Sequence, residues 1–292
     1  MLLHSALSAG TYLAAKRALG ELSPFELALA RFSFAGVIYA GLLLWRPRPV
    51  ARRDLLAMCA LGFVAIPLNQ GLFLFGLSCT TPGHAALLYA MTPVFVFVLA
   101  LLRREERSSP WKTVGIALAF AGAAVVLVAR GQLSGQPGGD RALVGDLLVL
   151  LAVISWAIYA VWGKPYAMRY GVITTTGVTI VSGSILYLPF GLLFSRVASF
   201  RALSPSGWGS VAYLVVLTSV VSYLLYYWAL AREDASRVAI WSNTQPVLTA
   251  LLAWAVYGDP LTPSFVAGGL LVIVGVLMTQ QRPLRPAHKL RE

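Results

Sequence analysis

Three short stretches of this 292-residue chain place polar side chains inside apolar surroundings. Pro67-Leu68-Asn69-Gln70-Gly71 sets two adjacent amides between a proline and a glycine. Thr80-Thr81-Pro82-Gly83-His84 leads into an apolar run that contains Tyr89. Trp241-Ser242-Asn243-Thr244-Gln245 precedes Pro246 and is the most polar stretch within any apolar run. Amides, hydroxyls and an imidazole at such places can line the polar wall of a solute site, and His84 could donate to a substrate carboxylate. Proline removes a backbone bond and frees a carbonyl one turn back, so Pro67, Pro93 and Pro246 mark expected kinks. Each feature also has a structural reading, in which amides join helices and hydroxyls satisfy loosened backbone. Asn69 and Gln70 are neighbours on a helix and are expected on different faces. His84 and Tyr89, five residues apart, point roughly 140° from one another.

Aromatic and charged residues complete the candidate set. Trp156 and Tyr159 follow i, i+3 spacing and share a helix face. Tyr12, Trp162, Tyr223, Tyr226, Tyr227 and Trp228 are divided in expectation between a cavity and the lipid interface. A cavity walled by Trp and Tyr favours flat apolar groups. Arg31 stands alone as a cation well inside an apolar run. It is expected to anchor itself on a helix end, a carbonyl or Glu26. No Asp or Glu stands in the middle of a run, and Glu26, Asp54 and Asp146 fall near ends. That points away from ion coupling and towards a uniporter, with His84 the remaining titratable candidate.

The elements that must hold these residues follow from composition. The chain is 58% hydrophobic and 12% charged, with mean hydropathy +0.76. Soluble domains carry about 25% charged residues. The net charge of +12 sits mostly in short loops, which suits topogenic charge better than nucleic-acid binding. Ten apolar runs are long enough to be spans: Leu2–Ala18, Pro24–Trp45, Leu55–Ser78, Pro82–Leu102, Trp111–Ala129, Leu143–Trp162, Ile173–Phe194, Trp208–Ala231, Ser236–Tyr257 and Pro263–Gln280. With the N-terminus cytoplasmic, inside segments hold 16 Lys and Arg against 6 outside. Both termini are therefore expected in the cytoplasm. The N-terminus reads as a first span and not as a signal peptide.

The chain also repeats itself. Pro93, Pro110, Gly115 and Gly122 recur 153 residues later as Pro246, Pro263, Gly268 and Gly275. Roughly half such a match is expected by chance over that window. Residues 1–129 form a first five-helix unit, 130–142 a connection, 143–281 a second unit and 282–292 a basic tail. Five spans is an odd number, so the second unit starts from the opposite side and the repeat is expected to be inverted. Gly115, Ala119, Gly122 and Ala123, with Gly268, Gly269 and Gly275, read as close-packing positions.

Leu22-Ser23-Pro24-Phe25-Glu26-Leu27-Ala28-Leu29-Ala30-Arg31-Phe32 resembles the start of the second helix in EamA-type members of the drug/metabolite transporter superfamily. Met91-Thr92-Pro93-Val94 and Thr244-Gln245-Pro246-Val247 are similar to the fourth and ninth helices of that family. One departure is Ser8-Ala9-Gly10-Thr11, where the family often has a Trp-Gly pair. The resemblance spans the chain and looks most like the YddG-type aromatic amino-acid exporters. It implies an all-α membrane protein with ten helices, exporting small amphipathic solutes by alternating access. The binding candidates are Asn69, Gln70, His84, Tyr89, Trp156, Tyr159, Trp241, Ser242, Asn243 and Gln245.

Other classes fit less well. A phosphate-bearing solute would want paired intramembrane cations, and only Arg31 is available. An intramembrane enzyme would need a nucleophile–base or metal constellation. The histidines are His4, His84 and His288, and no HExxH or GxSxG occurs. Cys59 and Cys79 lack metal or disulfide spacing. No enzyme activity, cofactor, metal or nucleic-acid partner is expected. The expected partners are a small-molecule substrate and the bilayer, and monomer and homodimer stay open.

Overall fold

The computed structural model describes residues 2–103, 109–131, 139–232, 244–258 and 261–280. Every regular element among them is helical. In chain order these are α1 (Leu2–Ala18), α2 (Pro24–Trp45), α3 (Arg52–Cys79), α4 (Pro82–Tyr89) and α5 (Thr92–Leu102). There follow α6 (Pro110–Gly131), α7 (Gly139–Tyr170), α8 (Val172–Phe194), α9 (Pro205–Leu230), α10 (Thr244–Tyr257) and α11 (Pro263–Gln280). Among the described residues, six stretches are long and apolar enough to cross a membrane: α2, α3, α4 with α5 as Pro82–Leu99, α7, α8 and α9. Large apolar side chains face outward, with Val37, Leu44 and Leu193 exposed by 72%, 82% and 75%. An outer surface of that kind suits lipid and not water.

Local sequence explains where the helices start. Ser23 caps α2 in a reciprocal box: its hydroxyl accepts from the Glu26 N–H at 3.3 Å, and its own N–H donates to Glu26 Oε2 at 2.7 Å. Pro24 fills the first helical position, where no N–H is missed. Thr81-Pro82 and Ser204-Pro205 start α4 and α9 by the same device. Gly171, at φ 84°, separates α7 from α8.

The helices depart from the expected runs in two places. The run Pro82–Leu102 is divided by a turn at Ala90-Met91. Pro93 in the first turn of α5 has no N–H to give to the Tyr89 carbonyl, and the Thr92 hydroxyl takes that carbonyl at 2.6 Å. The run Leu143–Trp162 is too short: α7 begins at Gly139 and continues through Pro165 to Tyr170. Two π segments interrupt the regular helices, Val64–Leu68 in α3 and Tyr213–Ser222 in α9. Pro67 lies inside the first. Such wide turns are rare and concentrate at functional sites.

Packing is reciprocal between the two parts of the chain. α3 lies on α7 as α9 lies on α1; α5 lies on α7 as α10 lies on α1; α2 lies on α9 as α8 lies on α3. α2 also packs on α8, α4 on α10, and α6 on α11. The α6–α11 crossing depends on matched glycines. A methyl at Gly122 would come within 2.6 Å of the Gly268 carbonyl oxygen, and one at Gly275 within 2.5 Å of the Gly115 carbonyl oxygen. Without water to drive association, close approach of backbones is what holds such a pair.

Gly122→Leu is expected to lower stability by about 1–3 kcal/mol, the usual cost of overpacking. A Cβ at Gly41 meets nothing within 4 Å, so Gly41→Ala serves as the control. Thermal unfolding in detergent reads both. An unchanged midpoint for Gly122→Leu would rule out the tight crossing.

Candidate functional site

The centre of the bundle is organised by Arg31. It is 1% exposed, and two neutral groups accept from it: Ser219 Oγ from Nε at 2.8 Å and Gln70 Oε1 from Nη1 at 2.9 Å. The Tyr223 phenol adjoins the same guanidinium. From Arg31 the donors run outward in one direction. Gln70 Nε2 donates to Asn69 Oδ1, and Asn69 Nδ2 donates to the Ala152 carbonyl at 2.6 Å and to the Tyr89 hydroxyl at 3.2 Å. Each link is polarised by the cation at its head. As expected of neighbours on a helix, the two amides reach different helices, Asn69 towards α7 and α4 and Gln70 towards α2, while their ends bond each other. Of the anchors expected for Arg31, Glu26 is not the one it takes. Glu26 instead receives Ser23, the Arg196 N–H at 3.0 Å and the Ser199 hydroxyl at 2.7 Å. Among the described residues no carboxylate pairs with Arg31. An unpaired buried ion costs on the order of several kcal/mol.

Aromatic rings adjoin this network. Trp156 lies 5.3 Å from Tyr159, 5.2 Å from Tyr223 and 5.5 Å from Tyr226 between ring centroids. Tyr159 meets Tyr227 at 5.2 Å, and its hydroxyl shares a hydrogen bond with Thr179 at 3.0 Å. On the other side, Tyr12, Phe73 and Tyr89 meet edge to face at 5.5–6.0 Å. Tyr12, Tyr159, Tyr223, Tyr226 and Tyr227 are buried, while Trp162 and Trp228 face outward. The arrangement can hold a flat apolar group beside a polar, positively charged end.

A second polar cluster lies at the start of α4. Asp146, 0% exposed, receives the Thr80 hydroxyl and lies 3.2 Å from His84 Nδ1. Asp146 was expected near the end of a run; that it is buried there was not foreseen. Because α7 starts at Gly139, Asp146 sits two turns inside it. Lys16 donates to the Leu77 and Thr80 carbonyls at 2.8 and 2.5 Å, beside the same cluster. His84 also lies 5.1 Å from the Phe265 ring, so it belongs to this cluster and not to the Arg31 network.

The polar stretch before Pro246 is only partly visible. Gln245 is half-buried in the first turn of α10. Trp241, Ser242 and Asn243 lie outside the described residues. The described residues contain no group of three or more His, Cys, Asp or Glu side chains suited to a metal ion.

A family model described as the EamA-like transporter family matches residues 1–128 and 143–280. The chain belongs to the EamA-like transporter family. It is a multi-pass membrane transporter. An uncharacterized transporter of Archaeoglobus fulgidus is 30% identical over 274 residues, covering 93% of this chain and 92% of that protein. The uncharacterized transporter YyaM of Bacillus subtilis is 28% identical, covering 94% and 90%. The uncharacterized inner membrane transporter YedA of Escherichia coli K12 is 26% identical, covering 95% and 88%. A solved crystal structure superposes with a TM-score of 0.67 at 18% identity, covering 95% and 94%, which is a likeness of fold.

For this EamA-like transporter, sequence reasoning missed three parts of the polar interior. Arg31 was visible as a solitary cation, but not its partners Gln70 and Ser219. Asp146 was visible near the end of a run, but not its burial against Thr80 and His84. The α1–α9 seam, where Thr11 meets Thr218 at 2.9 Å and His4 Nδ1 meets Ser222 Oγ at 2.7 Å, gave no signal beyond scattered hydroxyls.

Breaking one side of the Asp146–His84 pair should be costly. Asp146→Ala is expected to destabilise by about 3 kcal/mol or more, as for a broken buried pair. Adding His84→Ala should cost less than the two single changes together, by about 1 kcal/mol or more. A double-mutant cycle on detergent unfolding measures this, and strict additivity would show that the contact carries no coupling.

Proposed function

We propose that this chain exports small amphipathic metabolites, foremost aromatic and other apolar amino acids. The observation that carries the reading is the contact of Tyr223 with Arg31, which joins the rings of Tyr223, Trp156 and Tyr226 to the Arg31–Gln70–Asn69–Tyr89 network. One wall is aromatic and the other is polar, which is the division an aromatic amino acid presents. Asn69, Gln70, Tyr89, Trp156 and Tyr159 are the proposed binding residues in this centre. Trp241, Ser242, Asn243 and Gln245 would contribute from the ninth span, and His84 from the start of the fourth. A drug or other metabolite of similar shape is the second reading, favoured by the breadth of the aromatic cluster.

The proposed mechanism is alternating access between two units of five spans each, inverted with respect to one another. The reciprocal packing supports it, since exchanging the units maps α3–α7 onto α9–α1, α5–α7 onto α10–α1 and α2–α9 onto α8–α3. The α6–α11 crossing has the same property: Gly122 meets Gly268 and Gly275 meets Gly115, with 153 residues between equivalent members. Pro67, Pro93 and Pro246 are the proposed hinges. The charge count supports cytoplasmic termini in a cell inner membrane.

Uniport was expected because no carboxylate stands in the middle of a run. Asp146 is buried, but it stands two turns from the start of α7 and not at the middle of the span. Export without an ion gradient is therefore still the proposal.

Purified protein in proteoliposomes is expected to transport phenylalanine, tyrosine and tryptophan saturably, ahead of nucleosides and cationic dyes. Trp156→Ala should raise KM about tenfold, by loss of one aromatic contact of about 1.4 kcal/mol. Unchanged kinetics in this variant would refute the aromatic site. Efflux that strictly requires a pH gradient and is lost in Asp146→Asn would refute uniport.

A further inference from the structure

We propose that Arg31 is the carboxylate-binding residue of the transport site, and that the site recognises the acid group of its solute and not an amino group. The inference rests on the transporter reading above and narrows the substrate class to aromatic and apolar carboxylates. Three observations converge on it.

The first is charge. Arg31 is fully buried, and its described partners, Gln70 and Ser219, are neutral. A residue serving only as an anchor would gain nothing from an uncompensated charge, because a neutral side chain of similar size avoids the desolvation. A carboxylate arriving in its place in the transport cycle compensates that charge. The planar fork of guanidinium donors matches a carboxylate in geometry as well as sign.

The second is backbone. Both neutral partners come from helices with π segments. Ser219 lies within the one in α9, and Gln70 stands two residues beyond the one in α3. Gln70 and Tyr223, which both adjoin Arg31, are 153 residues apart, the spacing of the matched prolines and glycines. Arg31 is thus addressed by equivalent positions of the two halves, where alternating access places a solute.

The third is what surrounds it. Trp156 and Tyr226 continue from Tyr223 and supply an apolar wall. The described carboxylates with hydrogen bonds in this part of the chain are engaged elsewhere: Glu26 with Ser199 and Asp146 with His84. Among the described residues no carboxylate is bonded to Arg31, Gln70 or Ser219, so the polar end of this site presents a cation and neutral groups.

The test compares 3-phenylpropanoate, phenylalanine, 3-phenylpropanamide and phenethylamine on the full-length protein. Binding is read as thermal stabilisation in detergent, and transport as competition in proteoliposomes. The wild type should be stabilised by 3-phenylpropanoate and by phenylalanine to similar degrees. The amide and the amine should bind at least tenfold more weakly. Arg31→Gln, which can still bond Gln70 and Ser219, should lose the preference for the acid over the amide. Arg31→Lys should keep part of it. Equal binding of acid and amide by the wild type would overturn the proposal without requiring any variant to fold. So would an acid preference that survives in Arg31→Gln. Saturable transport of the amine or of nucleosides, with no effect of either acid, would overturn it and leave a transporter of another specificity. Carboxylate-selective binding without transport of any compound would uphold the Arg31 site and defeat the export reading instead.

Discussion

In hydrocarbon, a polar group released from its helix has no water to turn to, and every departure from regular helix must be satisfied by the protein itself. That constraint orders the structure. Pro93 releases the Tyr89 carbonyl, and the hydroxyl of the adjacent Thr92 takes it. The π segment of α9 falls where polar side chains from other helices meet it. Tyr39 donates to the Ser219 carbonyl at 3.1 Å, and His4 approaches the Ser222 carbonyl at 3.1 Å. The loosened carbonyls of that segment are thus met from the interior, while its outward side bears apolar Val216.

The same constraint explains why the polar interior is connected. A lone buried amide would leave donors unpaired, at a cost of about 1–3 kcal/mol for each group. Asn69 and Gln70 avoid it by bonding each other and then reaching Ala152, Tyr89 and Arg31. The network joins α2, α3, α4, α7 and α9, so it spans both units. A movement of one unit against the other must stretch or exchange some of these bonds. The glycine crossing of α6 and α11 is different in kind. It is held by close backbone contact and not by side-chain hydrogen bonds that a solute could displace, which suits a fixed pivot.

Much of the fold could be read from the residues because hydropathy and breakers report directly on membrane helices. Pro24, Pro205 and Pro263 open their helices, and the Pro263–Gln280 run matches α11 at both ends. The glycines were legible because Gly and Pro are rare enough for a match to mean something. The polar centre was legible only in part. Fixed helical spacing sends Asn69 and Gln70 to different helices, as found, but does not encode that the ends of the two side chains meet. Arg31 and Ser219 lie 188 residues apart, a contact that no local pattern encodes. Asp146 could be placed near the end of a run, but its burial depends on Thr80 and His84, more than 60 residues away, which no local pattern encodes.

The two copies differ most where their shared geometry brings them together. The position that is Gln70 in one is Tyr223 in the other, and the Ser219 position corresponds to Ile66. A symmetric pair of sites would bind a symmetric ligand, or the same ligand twice. An amphipathic solute has two unlike ends, so a single site on a pseudo-two-fold axis must break the symmetry to fix its orientation. In the proposed mechanism duplication would supply the rocking architecture, and divergence at these few interior positions a direction within it. On this argument, exchanging Gln70 and Tyr223 would preserve the side-chain types around Arg31 while moving the aromatic wall to the opposite side. The solute would then be held in reverse, with Trp156 no longer beside its ring.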